Sequence, residues 1–137
     1  MPARDLYHNA VVTALRKDGW TITHDPFRLT VGKRDMYVDL GAERILTAER
    51  GSDKIAVEVK TFGGPSPLNE LHEAVGQYRV YRAVLKRQYP EYRLLLAIPD
   101  NRADIFEEPL GEIVLEEEAL SLFLFNPESQ EIVRWLP

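Results

Sequence analysis

"RILTAERGSDKIAVEVKTFGGPSPLNE" (residues 44–70) decides the fold of this chain. Two β-rich arms flank Gly51-Ser52, so the first part reads as a hairpin. Side chains alternate across a strand. In the second arm Ile55, Val57 and Val59 therefore take one face, and Ala56, Glu58 and Lys60 take the other. The first face supplies core. The second presents an anion and a cation at the strand's end, just before Gly63 and Gly64 leave open space. Ser66 is then placed to cap a helix whose first position is Pro67, where a missing N–H costs nothing. Leu71, Val75, Tyr78 and Leu85 fall near one stripe, which predicts a helix from Pro67 to about Gln88.

The flanking segments complete the outline. A helix is expected over Arg4–Asp18, with Tyr7, Ala10, Val11, Ala14 and Leu15 as its apolar stripe and Gly19 as its stop. "WTITHDP" (20–26) reads as a short strand and turn, and "FRLTVGKRDMYVDL" (27–40) as strand broken near Gly32. "YRLLLAIP" (92–99) is an apolar run suited to a central strand covered on both faces. Residues 103–118 read as helical and acidic, and "LSLFLF" (120–125) with "EIVRWLP" (131–137) as a closing hairpin. The expectation is a single α/β domain over 1–137, a central mixed β-sheet flanked by helices.

Composition narrows the function classes. The chain has no cysteine, which excludes thiolate catalysis and cysteine–zinc sites. No apolar run approaches the roughly 20 residues of a membrane span, and the opening MPARDLYHNA lacks the apolar core of a signal peptide. A cytoplasmic protein without a membrane role is expected. Net charge is −5, unevenly placed: residues 101–137 carry two Lys/Arg against nine Asp/Glu. A nonspecific DNA binder is usually basic, so any nucleic-acid role must use a local patch or a partner. Arg79, Arg82, Lys86 and Arg87 form a basic run on the long helix, either a solvated face or a phosphate-contacting strip. The apolar "LSLFLF" arm predicts burial against another subunit, as a homodimer or hetero-complex through the C-terminal hairpin.

Unpaired buried carboxylates are costly, so Glu58 and Asp39, both acids inside strand-like runs, need a reason. A bland one is a same-face Glu58–Lys60 ion pair on a solvated sheet. The sharper one is a Mg²⁺ (or Mn²⁺) site, in which two carboxylates hold the ion and Lys60 offsets charge building on a phosphate. With a turn at Gly51-Ser52, Glu58 would face Arg44 or Ile45, with Glu43 nearby. Asp39 then reaches the site only through a bulge at Gly41; otherwise Glu43 is the second ligand.

Asp39, followed by Glu58-Val59-Lys60 and a helix carrying Gln77 and Tyr81, resembles the PD-(D/E)xK nuclease superfamily. Val38 stands where that pattern has proline, and the first helix lacks the glutamate of several branches, with Asp5 or His8 nearest to it. The resemblance implies a restriction-endonuclease-like fold, metal ligands Asp39 and Glu58, and catalytic roles for Asp39, Glu58, Lys60 and Gln77. Over nearly the whole chain, "HNAVVTALRKDGWTITHDP", "YVDLGAERILTAERGSDKIAVEVKTFGGPSPLNELHEAVGQYRVYR" and "FNPESQEIVRWLP" look like the XisH family of fdxN-element excision controlling factors. That resemblance implies control of programmed excision of a DNA element beside a recombinase and a small XisI-like companion. It implies DNA as substrate for a metal-dependent endonuclease, or else a catalytically silent docking or assembly module. It also favours Asp39 over Glu43 as second ligand.

Overall fold

A computed structural model describes residues 2–47 and 51–136, with side chains from Tyr7 to Arg44 and from Gly51 onward. Glu49 and the side chain of Asp5 lie outside the described residues. The chain runs α1 (Pro2–Lys17), β1 (Thr21–His24), β2 (Phe27–Val31), β3 (Arg34–Val38), β4 (Leu40–Thr47), β5 (Gly51–Val59), α2 (Pro67–Gln88) and β6 (Tyr92–Pro99). A 3₁₀ turn (Asp100–Arg102), α3 (Asp104–Glu107), α4 (Pro109–Glu117), β7 (Leu122–Asn126) and β8 (Glu131–Leu136) follow.

Six strands form one mixed sheet in the order β1-β4-β5-β6-β7-β8, and β2 and β3 form a separate two-stranded ribbon. β5–β6 and β6–β7 are parallel and the other pairs antiparallel. Parallel neighbours require crossovers, which α2 and the α3–α4 segment supply. The alternation of β5 distributes its two faces between two cores. Ile55 and Val57 pack with Ala10, Val11 and Leu15 of α1, whereas Ala56 packs with Leu71, Ala74, Tyr78 and Leu85 of α2. Ser66 Oγ accepts from Asn69 N at 3.4 Å and caps α2 at the expected residue. Tyr78 ties α2 to the sheet: its hydroxyl donates to Leu94 O (2.9 Å) and accepts from Ser121 N (3.2 Å).

Several expectations are corrected. The β4–β5 register pairs Arg44 with Asp53, Ala42 with Ile55 and Leu40 with Val57, so Glu58 does not face Arg44 or Ile45. Gly51 is no turn centre; with φ +75 it opens β5 and pairs with Thr47. No bulge at Gly41 interrupts this ladder, and the glycine serves packing instead: a Cβ there would stand 2.8 Å from His24 Nδ1 and 2.9 Å from Phe27 Cδ2. The helical stretch 103–118 is broken in two, because Pro109 cannot continue α3 and starts α4. The "LSLFLF" arm is no free greasy surface either. β7 lies between β6 and β8, and Leu122, Phe123, Leu124 and Phe125 are buried within this chain. What the hairpin exposes is β8, with Val133 and Trp135 outward and the ladder irregular between Leu124 and Phe125.

Two glycines provide opposite tests of this packing. Gly76 lies within α2, and a methyl group added there would meet nothing within 4 Å, so Gly76→Ala should raise stability by about 0.5–1 kcal/mol through helix propensity alone. At Gly111 a Cβ would sit 1.8 Å from Ile105 O, a backbone atom that cannot rotate away. Gly111→Ala should therefore cost about 2 kcal/mol or more, and urea titration of the two variants should move the midpoint in opposite directions.

Candidate metal and phosphate site

The β4–β5 ladder ends at Leu40–Val57, and the next two residues facing each other are Asp39 and Glu58. Their carboxyls continue the ladder where main-chain partners stop. Asp39 N donates to Glu58 Oε1 (3.1 Å), and Val59 N donates to Asp39 Oδ2 (2.9 Å). Each acid is thus held by the other's strand. Lys60 N donates to Ala97 O (2.9 Å), which carries the strand direction one residue further. Its ammonium lies 3.8 Å from Glu58 Oε2, on the same face, as the alternation requires.

These groups line a cleft of about 390 Å³ beyond the carboxyl end of β5. Tyr7 and His8 of α1 form one wall and Glu70, Glu73 and Ala74 of α2 the other, with Thr61 and Phe62 at the floor's edge. Among the described residues, four carboxylates therefore share the cleft with one ammonium, that of Lys60. Glu58 is 8% exposed, and its carboxyl is pushed up to about 7 by burial first and by the Asp39 carboxylate second, against the opposing pull of Lys60. Burial, with the charges of Glu58 and Asp39, also raises the Tyr81 phenol, which places α2's middle turns within the same field.

The structure brings Asp39, Glu58 and Lys60 together, and it does so without the bulge expected at Gly41. Glu43 is elsewhere: it pairs with Lys54 Nζ (3.8 Å), further down the ladder. Gln77 stands behind the cleft, donating Nε2–H to Tyr81 Oη (3.1 Å), with Oε1 buried and without a partner among the described residues. Its link to the acids runs through Tyr81. His8 belongs to the cleft wall, with Nε2 2.8 Å from Asp25 Oδ1. Glu70 and Glu73 were not legible as site residues. Their signal was positional only: both fall in the first turns of a helix that starts directly after the Glu58–Lys60 strand. Glu70 Oε1 accepts from Gly64 N (3.0 Å), which fastens the loop to the helix.

The basic run on α2 divides. Arg79 Nε pairs with Glu118 Oε1 (3.2 Å), and Arg82 Nη1 donates to Glu118 O (2.9 Å), so both serve the carboxyl end of α4 rather than the cleft.

A family model described as "XisH protein" matches residues 1–133. The chain belongs to the XisH family. Two crystal structures agree. An XisH family protein from Nostoc punctiforme is 36% identical, with 97% of this chain and 100% of that chain covered at a TM-score of 0.86. An fdxN element excision controlling factor protein from Anabaena variabilis is 35% identical, with 98% and 100% covered at a TM-score of 0.87. No curated protein matches the chain significantly. The α/β architecture with its central mixed sheet is therefore that of solved family members over essentially their full length. Among the described residues no helix is long and apolar enough to cross a membrane.

The raised Glu58 carboxyl makes stability pH-dependent with a fixed sign. The folded state holds this proton more tightly than the unfolded chain, whose carboxyl titrates near 4.5. The contribution is complete below about 4.5 and is lost as pH rises through about 7. Wild-type protein should lose roughly 2–3 kcal/mol between pH 5 and 8, taking about 1.4 kcal/mol per unit. Glu58→Gln should flatten that slope and be the more stable of the two at pH 8, which thermal melts across this range will read.

Proposed function

We propose that this chain is a metal-dependent DNA endonuclease of the PD-(D/E)xK type, on a restriction-endonuclease-like fold, acting in excision of a DNA element. The observation that carries the reading is the mutual pinning of Asp39 and Glu58 at the cleft with Lys60 beside them. Among the described residues no third His, Asp or Glu completes a ligand cluster around them. Mg²⁺ characteristically needs only one or two carboxylates and keeps several waters. The donor set fits that ion: two hard oxygen ligands, fixed by main-chain N–H groups, in a cleft with excess negative charge.

When bound, Mg²⁺ or Mn²⁺ supplies a Lewis acid that polarises the phosphodiester and acidifies water. The protein's own groups do the rest. Asp39 and Glu58 would hold the ion through their carboxylate oxygens. Lys60 supplies the cation that offsets charge developing on the phosphate and helps place the attacking water. Gln77 orients the Tyr81 hydroxyl toward the acids and so acts at one remove.

A second reading has an observation in its favour: Glu70 and Glu73 line the cleft and repel phosphate. On that reading the fold is a silent docking module for excision, working beside an XisI-like companion. The partner surface, whether for that companion or for a second copy, would be the outer face of β8 with Val133 and Trp135, since β7 is sealed inside. The readings separate cleanly. Lys60→Ala, Asp39→Asn and Glu58→Gln should each reduce Mg²⁺-dependent nicking of DNA by about 10²-fold or more, with the fold intact by circular dichroism, and chelation should abolish wild-type activity. If excision in vivo persists in the Glu58 and Lys60 variants but fails in Val133→Glu, the docking module is correct.

A further inference from the structure

The chain carries 22 Asp/Glu and 17 Lys/Arg, so every cation could have an acidic partner. Just over half of the described ones do: Arg28, Arg44, Lys54, Lys60, Arg79, Arg93, Arg102 and Arg134 each pair with a carboxylate. Lys33, Arg34, Lys86, Arg87 and Arg16 are exposed and make no ion pair or side-chain hydrogen bond among the described residues. Two of them share one tip. Lys33 and Arg34 close the β2–β3 ribbon, whose turn begins at Gly32 with φ +59.

The ribbon is anchored to α2 near Arg87. Gln88 Nε2 donates to Thr30 O (2.8 Å), and Phe27 packs edge-on against Tyr89 at 5.0 Å. Arg87 precedes Gln88 by one residue, about 100° around the helix, whereas Lys86 lies about 200° from Gln88 and faces away. The inner ribbon face buries Phe27, Leu29 and Val38. The outer face displays Tyr37, 50% exposed, and an Arg28–Asp35 pair at 2.9 Å. The ribbon runs directly into Asp39. Arg34 is five residues from it, roughly 17 Å of extended chain, about the rise of five base pairs.

We propose that the tip of the β2–β3 ribbon, with Lys33 and Arg34, and the adjoining Arg87 form a docking surface for the phosphate backbone of duplex DNA, which the ribbon leads toward the Asp39–Glu58 cleft. The proposal rests on reading that cleft as a DNA site, but concerns a different surface. It answers how an acidic protein holds a polyanion: a few cations left unpaired at one projecting edge provide the local attraction that net charge denies. A two-stranded ribbon is narrow enough to enter the major groove, and the exposed tyrosine adds a donor for phosphate or sugar oxygens. Val31, 45% exposed at the same tip, would also suit a lipid surface; the covalent run from tip to acids favours an extended polymer instead.

The test is fluorescence anisotropy with a labelled short duplex, with Ca²⁺ present, between about 50 and 200 mM salt. Lys33→Ala/Arg34→Ala should weaken wild-type binding by about tenfold or more and lower the salt slope by about 2, at roughly 0.9 per lost phosphate contact. Arg87→Ala should act in the same direction, and Arg16→Ala, an equal loss of charge at the end of α1, should not. These side chains are exposed, so folding is not at stake. Wild-type protein that fails to bind duplex, variants that bind as wild type does, or binding to phosphatidylserine vesicles without any duplex binding would each overturn the proposal. Duplex binding that depends on Lys33 and Arg34 without any cleavage would sustain it while removing the endonuclease reading.

Discussion

Everything at the cleft depends on one reciprocal contact. Where the β4–β5 ladder runs out of main-chain partners, Asp39 and Glu58 substitute their carboxyls for the missing carbonyls. This serves two purposes at once. The main-chain N–H groups of Asp39 and Val59, which would otherwise be unsatisfied at a half-buried strand end, find strong acceptors. And two acids that repel each other are held side by side by bonds neither can leave without stranding a donor. Burial first and that repulsion second push the Glu58 carboxyl up, and the structure tolerates it because the flanking strands are fixed on both faces by α1 and α2.

The site's geometry follows from the fold rather than from side-chain chemistry alone. β5 and β6 are parallel, so the chain must cross over between them, and the crossover helix α2 starts just beyond the carboxyl end of β5. Clefts in open α/β sheets form at that end. Here the first turns of α2 and the middle of α1 close its two sides. Arg102 Nη1 bonds Phe62 O, and Phe62 adopts φ +51, so the loop leaving Lys60 is bent sharply out of the way.

Most of the elements were legible because their signals were strong and local. The apolar run 92–99 forms β6 at the expected bounds, and Ser66-Pro67 starts α2 as expected. Face assignment along β5 is also right, since strand alternation is indifferent to register. Register itself was not legible. A glycine at position 51 carries the conformational freedom of a turn residue, yet it is used at φ +75 to enter the strand. The consequence reaches the site: a turn centred on Gly51 separates Asp39 from Glu58 and promotes Glu43, which in the fold answers Lys54. Similarly, the "LSLFLF" arm shows apolar residues on both faces, a pattern shared by an intersubunit strand and an internal one. Only its position between β6 and β8 decides between them.

Charge follows the same rule of local arrangement overriding composition. The acidic C-terminal quarter reaches back to α2 through Glu118, which takes up Arg79, while Arg82 caps the carbonyls that end α4. Two cations that looked available in sequence are thereby committed to holding the helical layer together. The irregular pairing in β8 limits a surface in a comparable way. An edge strand offers unpaired main-chain groups to any neighbour, and a break in its ladder blunts that invitation. With β8 interrupted near Val133, strand-to-strand addition is poorly supported there. Whatever contacts this edge must therefore do so through side chains such as Trp135, whose ring also packs at 5.0 Å on Phe123, a member of the α1-side core.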